Sequence, residues 1–200
     1  MTLPLRGRFA RLADELREDP RIDVLAVELP APASDAQIAA AATAIGAPPD
    51  ALARFYGELD GFSLRWRLRD ATDRGTVELL PLAELAKDWR GVTWFEDHDD
   101  YRGVRPWDFF APEACAALVD DAGGGGLRGT VHYHYLGELL CDTGHGIDAF
   151  LDRLIAARGY WYWIETLCPT MLGSPEAQRF LERMPALFGD FDAGLFAPAG

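Results

Sequence analysis

The eight residues from Phe62 to Arg69 set the strongest single constraint on the fold. Apolar and polar side chains alternate there without a fault, with Phe62, Leu64, Trp66 and Leu68 on one side and Ser63, Arg65, Arg67 and Arg69 on the other. A period of two sends successive side chains to opposite faces, so this stretch reads as a half-buried β-strand. After a turn over 70–75, residues 76–80 read as its antiparallel partner, which sets Glu78 among the arginines in a favourable cross-strand arrangement. Pro81 ends that strand because proline donates nothing to a ladder, and 82–89 reads as a short helix. Residues 24–29 and 130–136 read as further strands.

The remaining periodicity is helical. Phe9, Leu12 and Leu16 make one apolar stripe near the N-terminus. Ser34 with Gln37 is a capping box that opens a helix whose stripe is Ile38, Ala41, Ala42 and Ile45, and Gly46 supplies its stop. Pro48 and Pro49 start the next helix, where the missing N–H costs nothing, and Leu52, Phe55, Tyr56 and Leu59 form its buried face before Gly61. Ile147, Phe150, Leu151, Leu154 and Ile155 form a further stripe, closed by Gly159. Ser174 and Pro175 open a last helix with Ala177, Phe180, Leu181 and Met184 facing inward. Locally paired strands bracketed by helices predict an α+β fold with a mainly antiparallel sheet.

Charge narrows the partners. With 32 acidic and 19 basic residues the formal charge is −13. Phosphate contacts need clustered Lys and Arg, so nucleic acid and an anionic membrane surface are both excluded as partners, while basic proteins remain open. The N-terminal stretch lacks the apolar run of a secretory signal, and no segment reaches the roughly 18 apolar residues of a membrane span. Cys115, Cys141 and Cys168 are an odd number, widely spaced, which reads as thiols in a reducing cytoplasm. The four glycines at 123–126 read as a loop tip, and no Lys-Ser/Thr follows to make a phosphate-binding loop.

No catalytic signature emerges. His132 and His134 share one face of a predicted strand with Cys141, Asp142 and His145 close behind, but the spacing is not that of a zinc site, and the expectation is solvent-side or hydrogen-bonded imidazoles. Asp142-Thr143-Gly144 matches the aspartic-protease triplet, yet that chemistry needs two carboxylates sharing a proton, and the triplet reads as a turn before a helix. Ser34, Ser63 and Ser174 are the only serines, two of them helix caps, and a Cys141–His145 pair has no orienting partner. Tyr160-Trp161-Tyr162-Trp163 runs into Ile164 and Leu167 and reads as a buried strand or core edge.

The most unusual composition lies between Trp89 and Phe110, where seven aromatic residues are mixed with Glu96, Asp97, Asp99, Asp100 and Asp108. One reading makes the aromatics core and the acids a solvated loop; the other makes the segment an acidic, aromatic-studded contact surface. The stretch Asp97-His98-Asp99-Asp100 lacks the glycine and terminal glutamate of a calcium loop.

A helix ending in Ile45-Gly46, then Pro48-Pro49, then Leu52, Phe55-Tyr56 and Leu59-Asp60-Gly61-Phe62 leading into a strand, resembles the SUKH superfamily. That group takes in fungal cell-wall-synthesis regulators of the Smi and Knr type and many bacterial toxin-immunity proteins. Gly75 to Leu82 with Glu84 in register is similar to the family's next strand, and Phe150-Leu151 with Leu154 to its closing helix. The likeness covers about 34–82 and, more loosely, 130–158; residues 86–112 are longer and more aromatic, and 160–200 is an addition. The resemblance implies one domain over 1–164 with a helical extension at 165–200 packed on it. It implies a non-enzymatic protein binder without metal or cofactor, in the bacterial members an immunity protein that blocks a cognate toxin by direct contact. The expected contact residues for a basic toxin domain are Trp94, Glu96, Asp97, Asp99, Asp100, Tyr101 and Trp107. The competing expectations are a regulatory or scaffolding partner of a cellular enzyme, and a metal-dependent enzyme built on His132 and His134.

Overall fold

A computed structural model describes residues 3–46, 48–69, 71–96, 101–121, 125–135 and 137–196. Helix α1 (Leu5–Glu18) leads into strand β1 (Ile22–Glu28), helices α2 (Asp35–Ile45) and α3 (Asp50–Glu58) and strands β2 (Phe62–Leu68) and β3 (Arg74–Leu79). A short α4 (Leu82–Leu85) precedes β4 (Val104–Ala111), β5 (Ala114–Val119), β6 (Thr130–Tyr135) and β7 (Leu139–Gly146), and α5 (Ile147–Ala156) and α6 (Pro175–Leu187) close the chain. Among the described residues the seven strands form one antiparallel sheet in sequence order, so the fold is α+β as the pairing pattern predicts.

The period-two strand does what its alternation demands. Phe62, Leu64, Trp66 and Leu68 are buried, and Ser63, Arg65 and Arg67 lie on the opposite face. Ser63 sits across from Glu78 and Arg65 from Thr76 in the β2–β3 ladder. The capping box is complete: Gln37 N–H donates to Ser34 Oγ at 3.3 Å and Ser34 N–H to Gln37 Oε1 at 2.9 Å. All six helices place apolar side chains on the same sheet face, where Phe9, Leu52, Phe55, Phe150, Leu154 and Phe180 are fully buried in one core. Each such side chain contributes roughly 1.5–3 kcal/mol of burial free energy.

Two glycines are dictated by closeness. Gly75 lies against the Trp66 indole, whose Nε1 donates to Arg158 O at 2.7 Å, and any Cβ there would collide with the ring. Gly159 turns with φ +61° while its carbonyl accepts from Thr76 N–H at 2.8 Å. The stretch from Tyr160 to Trp163 is thus not a strand; it turns into a 3-10 segment, Trp163–Leu167, with Tyr160, Tyr162 and Trp163 buried and Trp161 half-exposed under the Arg74 guanidinium.

Residues 165–196 join the same core through Phe180, Met184, Phe188 and Phe196. Asp73 ties this piece to the sheet. Its buried carboxylate accepts from Tyr160 Oη, from Arg179 at 3.1 Å and from Arg183 at 2.6 Å. Burial pulls this carboxyl upward, but the hydrogen bonds from Arg183, Tyr160 and Arg179 outweigh it and hold the group below the usual range.

The sheet narrows between β3 and β4. Leu79 opposite Asp108 is the registered pair there, with Leu80 N–H donating to Trp107 O at 2.8 Å. Asp108 Oδ1 accepts from Glu78 N–H at 2.7 Å, so a side chain replaces a ladder bond at the junction. Three strands went unread in the sequence: β4, β5 and β7. Strand β5 is buried at every position and carries no alternation, and Asp142-Thr143-Gly144 lies inside β7 instead of forming a turn.

Candidate partner-binding surface

The reverse face of the sheet is divided. Over β2 and β3 it carries the exposed Arg65, Arg67 and Arg74, whereas over β4–β6 it is covered by Trp89, Thr93 and Tyr101. A second apolar cluster of Val104, Cys115, Ala117 and Val119 lies under that cover, with Tyr101, Phe109 and Leu140 packed against it. Trp89 stacks on Phe109 at 6.2 Å between centroids, and Tyr101 lies 5.0 Å from the His134 ring. Thr93 Oγ1 donates to Val104 O at 3.0 Å. Arg105 ties the start of the cover to the sheet, donating to Lys87 O at 2.9 Å and to Asp120 Oδ1 at 2.7 Å.

The turn at its apex is tight. Val92 and Thr93 N–H both donate to Trp89 O at 3.1 Å, and Gly91 N–H donates to Trp94 O at 2.7 Å. Gly91 has φ +83°, a conformation that costs glycine nothing and an L side chain 1–2 kcal/mol or so. The Arg90 and Arg102 guanidinium carbons stand 5.3 and 5.8 Å from the Trp94 ring centre. Directly beyond, the turn leaves Val92 44% and Phe95 62% exposed, with Glu96 exposed beside them. Two large, partly exposed apolar side chains on an anchored turn make this a candidate contact surface.

The seven expected contact residues are distributed unevenly. Trp94 is half-buried at the turn, Glu96 is exposed, and Tyr101 is half-buried against His134. Trp107 is corrected: it is fully buried on the helical face, edge-on to Phe55 and tilted on Phe150, because a β-bulge between Pro106 and Asp108 aims it inward. Asp97, Asp99 and Asp100, with His98, lie outside the described residues. Val92 and Phe95, the exposed apolar side chains of this turn, are not among the expected contact residues; the available signal was Arg90-Gly91 marking a turn that pushes the next apolar residues outward.

His132 and His134 do share a face, but that face is the covered one, and both are buried, at 3% and 0% exposure, instead of standing in solvent. Burial holds the His132 imidazole below its ordinary value despite the Asp142 carboxylate 3.7 Å from Nε2, so it is neutral at pH 7. Asp142 itself accepts from Thr130 Oγ1 at 3.1 Å and from Gly144 N–H at 2.8 Å. Among the described residues no three His, Cys, Asp or Glu side chains are placed to hold a metal ion. Burial pushes the Cys115 thiol well up, away from the nucleophilic thiolate. No helix among the described residues is long and apolar enough to cross a membrane.

No protein-family model matches the chain, and no curated protein or solved structure matches it.

Proposed function

We propose that this chain is a non-enzymatic, cytoplasmic binding protein of SUKH type, a bacterial immunity protein that neutralises a cognate basic toxin domain by direct contact. The observation that carries this reading is the turn Trp89–Glu96. It is anchored from beneath by Trp89 on Phe109 and by Thr93 on Val104, yet it leaves Phe95 62% and Val92 44% exposed. A partner that covers the exposed part of these side chains gains its burial at little entropic cost, because the turn that presents them is already anchored. The net charge of −13 speeds encounter with a cationic partner and repels acidic competitors.

The test is capture of the tagged protein's partner from its native host, followed by co-expression of that partner's toxic domain with wild-type chain and with the Val92→Ser/Phe95→Ala double variant. Rescue of growth by the wild type and its loss in the double variant is the expected result. A captured housekeeping enzyme, unaffected in growth assays, would replace immunity by regulation.

A further inference from the structure

The three cysteines occupy different surroundings. Cys115 lies on the covered face of the sheet, fully buried with Val104, Ala117 and Val119. Cys141 belongs to β7, an edge strand, and stands directly across from Tyr133, so the two side chains share the helical face. It is half-buried and packs against the main core. Cys168 is fully buried in that core, at the joint between the 3-10 segments Trp163–Leu167 and Pro169–Met171. Glu165 fastens the joint beside β6, accepting from Tyr133 Oη at 3.1 Å and, through its carbonyl, from Cys168 N–H at 3.2 Å. The two sulfurs meet there. Burial, and then a hydrogen bond to the Cys141 sulfur, push the Cys168 thiol up.

Two thiols brought together from separate elements can share a metal ion or a covalent bond. The metal lacks a ligand set, because no three His, Cys, Asp or Glu side chains converge among the described residues. The covalent bond has what it needs: Cys141 is partly exposed at the sheet edge, and Cys168 is held behind it out of solvent. A reachable thiol backed by a second thiol is the arrangement of a redox-responsive pair, in which the first is oxidised and the second resolves it. Cys115 is on the opposite face of the sheet and provides an internal comparison.

We infer that Cys141 and Cys168 form a reversible disulfide when the chain meets a hydroperoxide, and that the bond staples the C-terminal piece to strand β7. The Cys141 thiolate attacks one peroxide oxygen, a sulfur–oxygen bond forms, and the departing hydroxide takes up a proton to leave as water. Cys168 then attacks the Cys141 sulfenic acid. The sulfur–sulfur bond forms, the sulfur–oxygen bond breaks, and the hydroxyl leaves as a second water with the Cys168 proton. Two thiols are oxidised by two electrons and one peroxide is reduced to two waters. The high Cys168 thiol makes the second step the slower one, which its fixed position against Cys141 offsets. Small-molecule thiols reverse the bond, so the pair rests reduced in a reducing compartment. The inference does not rest on the binding reading above, whose Val92–Glu96 turn belongs to the cover on the other face of the sheet.

The test treats the full chain with hydrogen peroxide at about pH 8, near the ordinary thiol pKa, and then alkylates it in denaturant. The expected result is a label on Cys115 alone of the three cysteines, with all three labelled again after dithiothreitol. Trypsin cuts after Arg128, Arg153, Arg158 and Arg179, so mass spectrometry should find peptide 129–153 joined to peptide 159–179. Oxidation should raise the melting temperature of the wild type by about 5–10 °C and leave that of Cys141→Ser unchanged. In Cys141→Ser, Cys168 should take the label before and after peroxide, and its unoxidised melt verifies the fold. Three labels on the treated wild type overturn the inference, as does Cys141 oxidised to a sulfinic or sulfonic acid while Cys168 remains a thiol. A link between two chains overturns it too. An internal bond without a rise in melting temperature overturns the stapling role.

Discussion

Replacing Asp108 by asparagine removes a carboxyl group whose Oδ2 is buried without a hydrogen-bond partner at the sheet's narrowest point. Burial dominates its environment. The Glu78 N–H bond pulls its pKa down and the Glu78 carboxylate pushes it up, and the result is a pKa raised from 3.8 to about 7. A carboxyl whose folded pKa exceeds its unfolded one binds more protons when folded, so its ionisation opposes folding, and stability falls as pH rises from about 4 to about 7. The full shift of roughly three pH units corresponds to about 4 kcal/mol, of which some 2–3 kcal/mol develops between about pH 5 and about pH 8. Asparagine keeps the Oδ1 acceptor for Glu78 and has no charge to ionise. It does place an unpaired N–H₂ where Oδ2 sat, a cost of about 1–3 kcal/mol that does not vary with pH. The observable is therefore the difference between the two proteins at two pH values, in which the groups common to both cancel. Urea unfolding followed by tryptophan fluorescence, at about pH 5 and about pH 8, should show Asp108→Asn gaining about 2–3 kcal/mol relative to wild type on the move to the higher pH. The Glu78 carboxylate adds to the upward push on Asp108, so Glu78→Gln serves as the partner in a double-mutant cycle. A wild type and variant that change in parallel across that range would refute the account of Asp108 as a buried carboxyl that resists ionisation.

Other outcomes follow from the same geometry. Asp73→Asn should cost about 1–3 kcal/mol near neutral pH, because the amide keeps an Oδ1 acceptor for Tyr160 and Arg179 but removes the charge and the Oδ2 acceptor that hold Arg183. Because the Asp73 carboxyl is held low, that contribution is present above its unfolded pKa and lost as pH falls through the folded one, so the variant and wild type should converge in acid melts. Gly75→Ala should lower stability by about 1–3 kcal/mol, read as a reduced urea midpoint at unchanged slope, because the Trp66 indole must move off its bond to Arg158 O. Val92→Ser and Phe95→Ala should each cost no more than about 1 kcal/mol of unfolding stability, since Phe95 is 62% and Val92 44% exposed. The same substitutions should cost about 1–3 kcal/mol in affinity for the captured partner, measured by calorimetry.

Local rules made much of this fold legible. The strand at 62–69, the Ser34–Gln37 box and the stripe from Ile147 to Ile155 each state their structure within one or two turns of chain, because alternation and helical spacing follow from backbone geometry. β5 was invisible for the converse reason. A strand covered on both faces needs no polar side, so Ala114–Val119 carries no period to read. The acidic, aromatic character of 89–110 was plain in the sequence, but whether a given ring serves core or surface depends on the β-bulge beside Trp107 and on the φ of Gly91. The bulge leaves no trace in residue type, and the glycine marks a turn without saying which rings it turns outward.

The sequence by itself determined the helices and strands whose apolar side chains keep a clean period, the antiparallel character of the sheet, and the net acidity of the chain. Those properties are local or additive. Only the tertiary structure decided that His132 and His134 are buried beneath a cover, that Trp107 is core while Phe95 is not, and that Cys141 and Cys168 come together. Each of those depends on contacts between segments far apart in the chain, and a side chain's exposure is set by what packs across it rather than by its neighbours in sequence.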